Sequence, residues 1–204
     1  MKNLGRIGVV GRFKPLHKGG ALMLEAACEN ADYVIIGIGS SNKYNVRNPF
    51  TAEESKEMID RYLSSRFDNY SIIFIPDFGH IPEYSDGQKW RKYMLNAYGK
   101  LDHFVSGNDY VRNLLKEDYD IIHPGSLIPK EKHLMLRATE VRVEMARHGN
   151  WKAFVPEEVV NYLEDNGLVE RFRKEFGLQT LANLLEDYNL PENIKQEREH
   201  IHET

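Results

Sequence analysis

Residues 11–20 read GRFKPLHKGG. They follow a short apolar run, RIGVV (6–10), and precede ALMLEAACENA (21–31), whose apolar residues fall close to helical spacing. A plain strand-to-helix connection needs a turn residue and a cap. This one carries Arg12, Lys14, His17 and Lys18 beside Gly11, Gly19 and Gly20. Pro15 stops the strand from continuing, and the spacing predicts a helix start between His17 and Gly20. Free N–H groups and the dipole at such a start favour an anion. Gly19 and Gly20 let a bulky group approach the backbone. His17 has an N–H to donate to a phosphate oxygen, and Arg12 has a planar fork to grip one. Neither a GxxxxGK(S/T) run nor a GxGxxG run occurs here. On the residues alone, a phosphate site and a charged turn both stay open.

Outward from that stretch the pattern alternates. DYVIIGIGSS (32–41) and YSIIFIP (70–76) are apolar runs of the kind covered on both faces, the second closed by Pro76. DHFVSGN (102–108) and YDIIHPG (119–125) read as further strands. Between them lie TAEESKEMIDRYLSS (51–65), with a Thr cap before acidic residues, SDGQKWRKYMLNAYG (85–99), ending near Gly99, and DYVRNLLKE (109–117). TEVRVEMARHG (139–149) reads as a helix with Gly149 as its C-cap, and Pro156 opens VPEEVVNYLEDNG (155–167). LVERFRKEFG (168–177) and LQTLANLLEDYN (178–189) complete a helical last third. Strands separated by helices imply βαβ units and a mainly parallel sheet. The expected fold is α/β, a Rossmann-like parallel sheet with flanking helices and a helical C-terminal part. The expected division is one domain over 1–188, helical from about 150, and a charged tail over 189–204. His200 and His202 in that tail are read as solvated rather than as metal ligands.

The chain has 204 residues, 27 basic and 31 acidic, with a net charge of −4. That excludes the basic excess of a general nucleic-acid binder but not a local basic cleft. Its single cysteine, Cys28, lies in an apolar helical stretch, which fits a small core residue and a reducing cytoplasm. No apolar run approaches a membrane span, and the N-terminus lacks a signal-peptide core.

GRFKPLHKGG resembles the GxFxPxHxGH signature of the nucleotidyltransferase superfamily, adenylyl- and cytidylyltransferases of Rossmann-like fold. LRATEVR (136–142) resembles its second signature, ISSTxxR, at the start of a helix after the fifth strand. IGSSNKYNVRNPFTAEE (38–54), VSGND (105–109), NWKAFVPEEVV (150–160) and GLVERFR (167–173) resemble stretches of the archaeal nicotinamide mononucleotide adenylyltransferases. The similarity spans roughly residues 4–175, with the motifs in order.

The resemblance implies transfer of AMP from ATP to nicotinamide mononucleotide, giving NAD and pyrophosphate, with Mg2+ accompanying ATP and no protein metal site. It implies catalytic roles for Arg12, His17, Arg47 and Arg142, with Arg142 on the leaving pyrophosphate. It implies nucleotide contacts from Gly11, Arg12, Phe13, His17 and Gly19 in the first motif. Gly107 and Asn108 serve at the fourth strand end, and Thr139, Val141 and Arg142 in the second signature, Thr139 also capping its helix. Arg47 reaches the phosphates from the loop after the second strand. Trp90 either stacks on the nicotinamide ring or packs its helix onto the sheet. The resemblance also implies a cytoplasmic homo-oligomer that binds neither nucleic acid nor membrane. Two positions depart from the signatures: Gly20 stands where a second histidine is expected, and Arg137 where a serine is. Arg137 is read as partly replacing the missing imidazole's charge. The alternatives are a relative using another phosphorylated acceptor (phosphopantetheine, FMN or a cytidylyl transfer) and a nucleotide-binding protein with impaired catalysis.

Overall fold

The computed structural model describes residues 3–189. The charged tail beyond them, with His200 and His202, lies outside the described residues.

Five strands form one parallel sheet: β1 (Arg6–Gly11), β2 (Tyr33–Ile38), β3 (Tyr70–Phe74), β4 (His103–Val105) and β5 (Asp120–Ile122), in the order β3-β2-β1-β4-β5. Between successive strands run α1 (Lys18–Asn30), α2 (Ala52–Leu63), α3 (Gln88–Tyr98) and α4 (Asp109–Leu115). After β5 come α5 (Ala138–Ala146), α6 (Glu157–Asp165), α7 (Leu168–Phe172), a π-helical turn (Arg173–Gly177) and α8 (Leu178–Asn189). The Rossmann-like α/β fold read from the sequence is the observed one.

The period-2 alternation of the strands sorts the helices into two layers. Ile7 and Val9 of β1 and Val34, Ile36 and Ile38 of β2 face a core shared with α1, α2 and the C-terminal helices. Val10, Tyr33 and Ile35 face a smaller core under α3 and α4, built on Met94, Tyr98, Phe104 and Leu115. Cys28 is 4% exposed in the larger core, and burial pushes its thiol up to about 12, so it is an inert core residue. The outer strand β3 is only half-buried, with Phe74 exposed, because an edge strand lacks a neighbour on one side. The expectation of full cover therefore holds for β2 and not for β3.

Local cues act as the residues dictate. Thr51 and Glu54 close a reciprocal capping box on α2: Glu54 N–H donates to Thr51 Oγ1 (3.1 Å) and Thr51 N–H to Glu54 Oε2 (2.9 Å). Two boundaries differ from the sequence reading. The left-handed residue ending α5 is His148 (φ 57°), not Gly149. Gly149 instead packs where a Cβ would lie 2.0 Å from the Glu144 carboxylate, and its N–H donates to Glu144 O. Thr139 is the second residue of α5 rather than its cap. Arg137 holds the cap position, and its backbone N–H donates to Glu140 Oε2 (2.9 Å).

Chain order places the β1 and β4 ends side by side while their connections leave in opposite directions. That is the topological switch point of an open parallel sheet, where a crevice forms beyond the strand ends. Close packing around β1 depends on Gly37, whose added Cβ would meet Tyr98 Oη at 2.0 Å while that hydroxyl donates to Val9 O (2.6 Å). Gly37→Ala is expected to cost about 2–3 kcal/mol of stability in urea unfolding, through overpacking and loss of this bond. A Tyr98→Phe partner change, which removes the clashing oxygen, should recover part of that loss.

Candidate active site

The β1–α1 turn is built by burial and by one strained residue. Phe13 adopts left-handed backbone (φ 52°) with its ring buried in the larger core. The ring lies over Gly11, where a Cβ would sit 2.7 Å from it. Gly11 and Phe13 thus shape the turn that sets Arg12 at the strand end.

His17 is the N-cap of α1. Its Nδ1 accepts the Gly20 N–H (3.2 Å), which in the neutral ring leaves the proton on Nε2. Burial pushes its pKa down to about 4, Glu140 pulling the other way and Arg142 adding to the shift. At neutral pH it is an uncharged donor at the start of α1, where the dipole also favours an anion. Gly19 is pressed between the His17 ring (3.2 Å from an added Cβ) and Leu134 O (3.5 Å), so the segment before α5 packs on this turn.

Arg142 crosses from α5. It is 8% exposed, and donates from Nη1 to Lys14 O and from Nη2 to Thr139 Oγ1, both 3.0 Å. Burial first, then Arg12 and Arg47, push its pKa down to about 9. Arg12 is likewise lowered, by burial and then Arg47, with Asp77 opposing. Arg47 sits half-buried on the β2–α2 loop, in a turn where Asn45 Oδ1 accepts the N–H groups of Arg47 and Asn48, both 3.0 Å. Arg12, Arg47 and Arg142 thus lie within electrostatic reach of one another, with His17 within reach of Arg142 and Thr139 bonded to it, although the five are spread over 130 residues of sequence. Thr139 keeps its hydroxyl proton available, since its oxygen accepts from Arg142.

Gly107 and Asn108 follow β4 across the switch point. Asn108 caps α4 through Val111 N–H (3.0 Å), and a Cβ on Gly107 would touch Pro124 at 3.4 Å. Val141 points its fully buried side chain into the larger core. Trp90, in the first turn of α3, is half-buried against the smaller core, on the sheet face opposite α1 and α5. Arg137 is exposed at the start of α5.

Lys14 is the residue the sequence reading passed over. It is 0% exposed, and its ammonium donates to Ser40 O (2.9 Å) and Lys43 O (3.5 Å) of the β2–α2 loop. Burial and then Arg12 push it down to about 8, against Glu53 and Glu54. In sequence it is one more cation in a cationic run, and nothing in the run marks it as buried.

Among the described residues no group of three or more His, Cys, Asp or Glu forms a metal cluster. The crevice walls carry cations, which suit an ion that arrives already held by phosphates and water rather than a protein cage. No helix among the described residues is long and apolar enough to cross a membrane.

Comparison with known proteins gives the family. The cytidylyltransferase-like family model matches residues 9–135. The chain is 34% identical over 170 residues to a nicotinamide-nucleotide adenylyltransferase of Pyrococcus furiosus, covering 80% of this chain and 85% of that one. It is 33% identical over 165 residues to the enzyme of that name from Methanococcus vannielii, covering 80% and 91%. Among solved structures it resembles in fold a bifunctional NMN adenylyltransferase/ADP ribose pyrophosphatase from Francisella tularensis complexed with AMP and a manganese ion. The TM-score there is 0.64 at 23% identity, over 92% of this chain but only 54% of that longer protein. On the signature turn, the switch-point crevice and these relatives together, the chain belongs to the cytidylyltransferase-like nucleotidyltransferases, in the group of the nicotinamide-nucleotide adenylyltransferases.

Proposed function

We propose that this protein transfers AMP from ATP to nicotinamide mononucleotide, forming NAD and releasing pyrophosphate. What supports the reading is the crowding of Arg12, Arg47 and Arg142, with Arg47 lowering Arg12 and both of them lowering Arg142, which is bonded to the β1–α1 turn at Lys14 O. Such crowding costs free energy in the empty protein and is relieved by a polyanion.

The acceptor's phosphate is already an oxyanion at neutral pH, so its attack on the α-phosphorus needs no strong base. A P–O bond forms to the acceptor as the bond to the β-phosphate oxygen breaks, and pyrophosphate carries the electron pair away. Positioning and charge neutralisation then dominate. In this reading Arg12 and the His17 Nε2–H hold the triphosphate at the start of α1. Arg47 reaches it from the β2–α2 loop, and Arg142 with Thr139 meets the leaving pyrophosphate. Gly107 and Asn108 border the adenine, and Trp90 offers an aromatic face to the pyridinium ring. Mg2+, entering on the phosphates, supplies further charge neutralisation. We read residues 1–188 as one nucleotidyltransferase domain of a cytoplasmic enzyme that assembles as a homo-oligomer. Light scattering of the purified chain tests the assembly.

The decisive experiment supplies ATP or CTP, Mg2+ and a panel of phosphorylated acceptors and measures pyrophosphate and dinucleotide. NAD formation with ATP and nicotinamide mononucleotide is expected. Turnover confined to another acceptor, or ATP binding without turnover, would overturn the assignment. Arg142→Met should lower kcat by about 10²–10³-fold with a smaller change in KM for ATP, because the charge it meets develops in the transition state. Gly20→His should raise turnover by about tenfold, the effect of one added charge-assisted donor. The step is open to it, since a Cβ at Gly20 meets Leu16 and His17 only at ordinary contact distances of 3.4 and 3.8 Å.

The pH dependence follows from the direction of the shifts. A base with a lowered pKa sheds its charge earlier as pH rises, and Lys14 does so from about 8, while the Arg142 guanidinium keeps its charge. Pyrophosphate binding to the empty protein should therefore weaken between pH 7 and 9.5 in calorimetry. No acid limb near pH 6.5 is expected from His17, which stays neutral down to about 4.

A further inference from the structure

Burying a lysine completely is costly, and an apolar side chain would fill the same space without that cost. The 0% exposure of Lys14 therefore asks what its charged end does. Its acceptors are the main-chain carbonyls of Ser40 and Lys43, both on the loop that carries Arg47. Ser40 holds left-handed backbone (φ 49°), and its carbonyl also accepts Lys43 N–H (3.1 Å). The ammonium thus bonds to the left-handed Ser40, seven residues before Arg47, and to Lys43, four residues before it. At its other end, Lys14 belongs to the β1–α1 turn between left-handed Phe13 and the α1 cap, and its carbonyl accepts Arg142 Nη1 (3.0 Å). One residue touches all three segments that bear the crevice arginines. Arg12 faces it from its own turn and Glu53 and Glu54 from the first turn of α2, so the latch sits between repelling and attracting charge.

We propose that Lys14 is a positioning residue: its buried ammonium latches the Arg47 loop to the β1–α1 turn and so fixes the register of Arg47 against Arg12 and Arg142. The proposal rests on the nucleotidyl-transfer reading above, since only a phosphate chain spanning both loops makes their register matter. Lys14 itself touches no substrate in this account. Its removal leaves every phosphate-binding side chain present but lets one wander, and a misplacement of about 1 Å can cost about 100-fold in rate.

The test is a double-mutant cycle on the full chain with Lys14→Met, Arg47→Ala and the pair. It is read by kcat and KM with ATP, nicotinamide mononucleotide and Mg2+, by calorimetric ATP binding, and by thermal unfolding. Lys14→Met is expected to lower kcat/KM about 10–100-fold, mainly through kcat. In the Arg47→Ala background the same change should cost less than about threefold, because the group it positions is already gone. Equal cost in both backgrounds, or no cost in either, would overturn the latch. Lys14→Gln is made alongside, and failure of both Lys14 variants to fold would overturn it too, by making Lys14 a residue of overall stability. Wild-type kinetics in Arg47→Ala would sink the phosphate role of Arg47 and the latch with it. Should the wild type not turn over nicotinamide mononucleotide, the acceptor reading fails alone, and ATP binding carries the same cycle.

Discussion

Mutual repulsion among Arg12, Arg47 and Arg142, with Lys14 pressed by Arg12, is the constraint around which the site is organised. Cations in a poorly hydrated cleft push each other apart unless something fixes them. For Arg142 and Lys14 the fixing is done by neutral acceptors. Arg142 is held by Lys14 O and Thr139 Oγ1, and Lys14 by Ser40 O and Lys43 O. Carbonyls and hydroxyls satisfy the donors while leaving the positive field less quenched than carboxylate pairs would. Such a cleft keeps its potential for a ligand, and the fold bears the cost of keeping it.

The sheet makes that arrangement possible. Reversal of direction at the β1–β4 boundary leaves room above two strand ends, and the parallel order points the starts of α1 and α4 toward the same space. The two layers divide the labour. The α1, α2 and C-terminal side carries His17 and Arg142, while Gly107 and Asn108 lead from β4 into α4 and Trp90 packs against the smaller core on the other side.

Much of this was legible in the sequence, and the parts that were not share a physical reason. Apolar runs announced β1, β2 and β3, and Thr51 followed by Glu54 announced α2, because burial and capping act over a few neighbouring residues. Arg12, His17, Arg47, Thr139 and Arg142 were nominated from motif order, which reflects chemistry more than local conformation. Lys14 escaped because its burial is decided by Ser40 and Lys43, which lie 26 and 29 residues away. His148 escaped because glycine is the default left-handed residue, and only the Glu144 carboxylate against Gly149 shows why the glycine lies one place later. The half-burial of β3 escaped because an apolar run does not say which strand will be at an edge.

The helices after α5 have a part in the site although none of the site residues named above belongs to them. Arg171 of α7 forms a two-pronged ion pair with Glu54 (2.5 and 2.7 Å) and donates to Pro49 O (3.3 Å). Tyr44 packs edge-on to Phe176 (5.2 Å) and donates to Glu175, while Phe50 stacks on Phe172 (6.3 Å). These contacts grip the β2–α2 loop on both sides of Arg47, at Tyr44 and at Pro49–Phe50, while Lys14 holds it through Ser40 and Lys43. A loop held at both shoulders can present a half-buried arginine toward like charges without swinging it into solvent. Because Glu54 both caps α2 and pairs with Arg171, the helix start, the loop and the C-terminal layer are fixed as one unit. The helical last third is therefore part of the catalytic scaffold, and the Arg47 loop owes its placement to residues more than a hundred positions downstream of it.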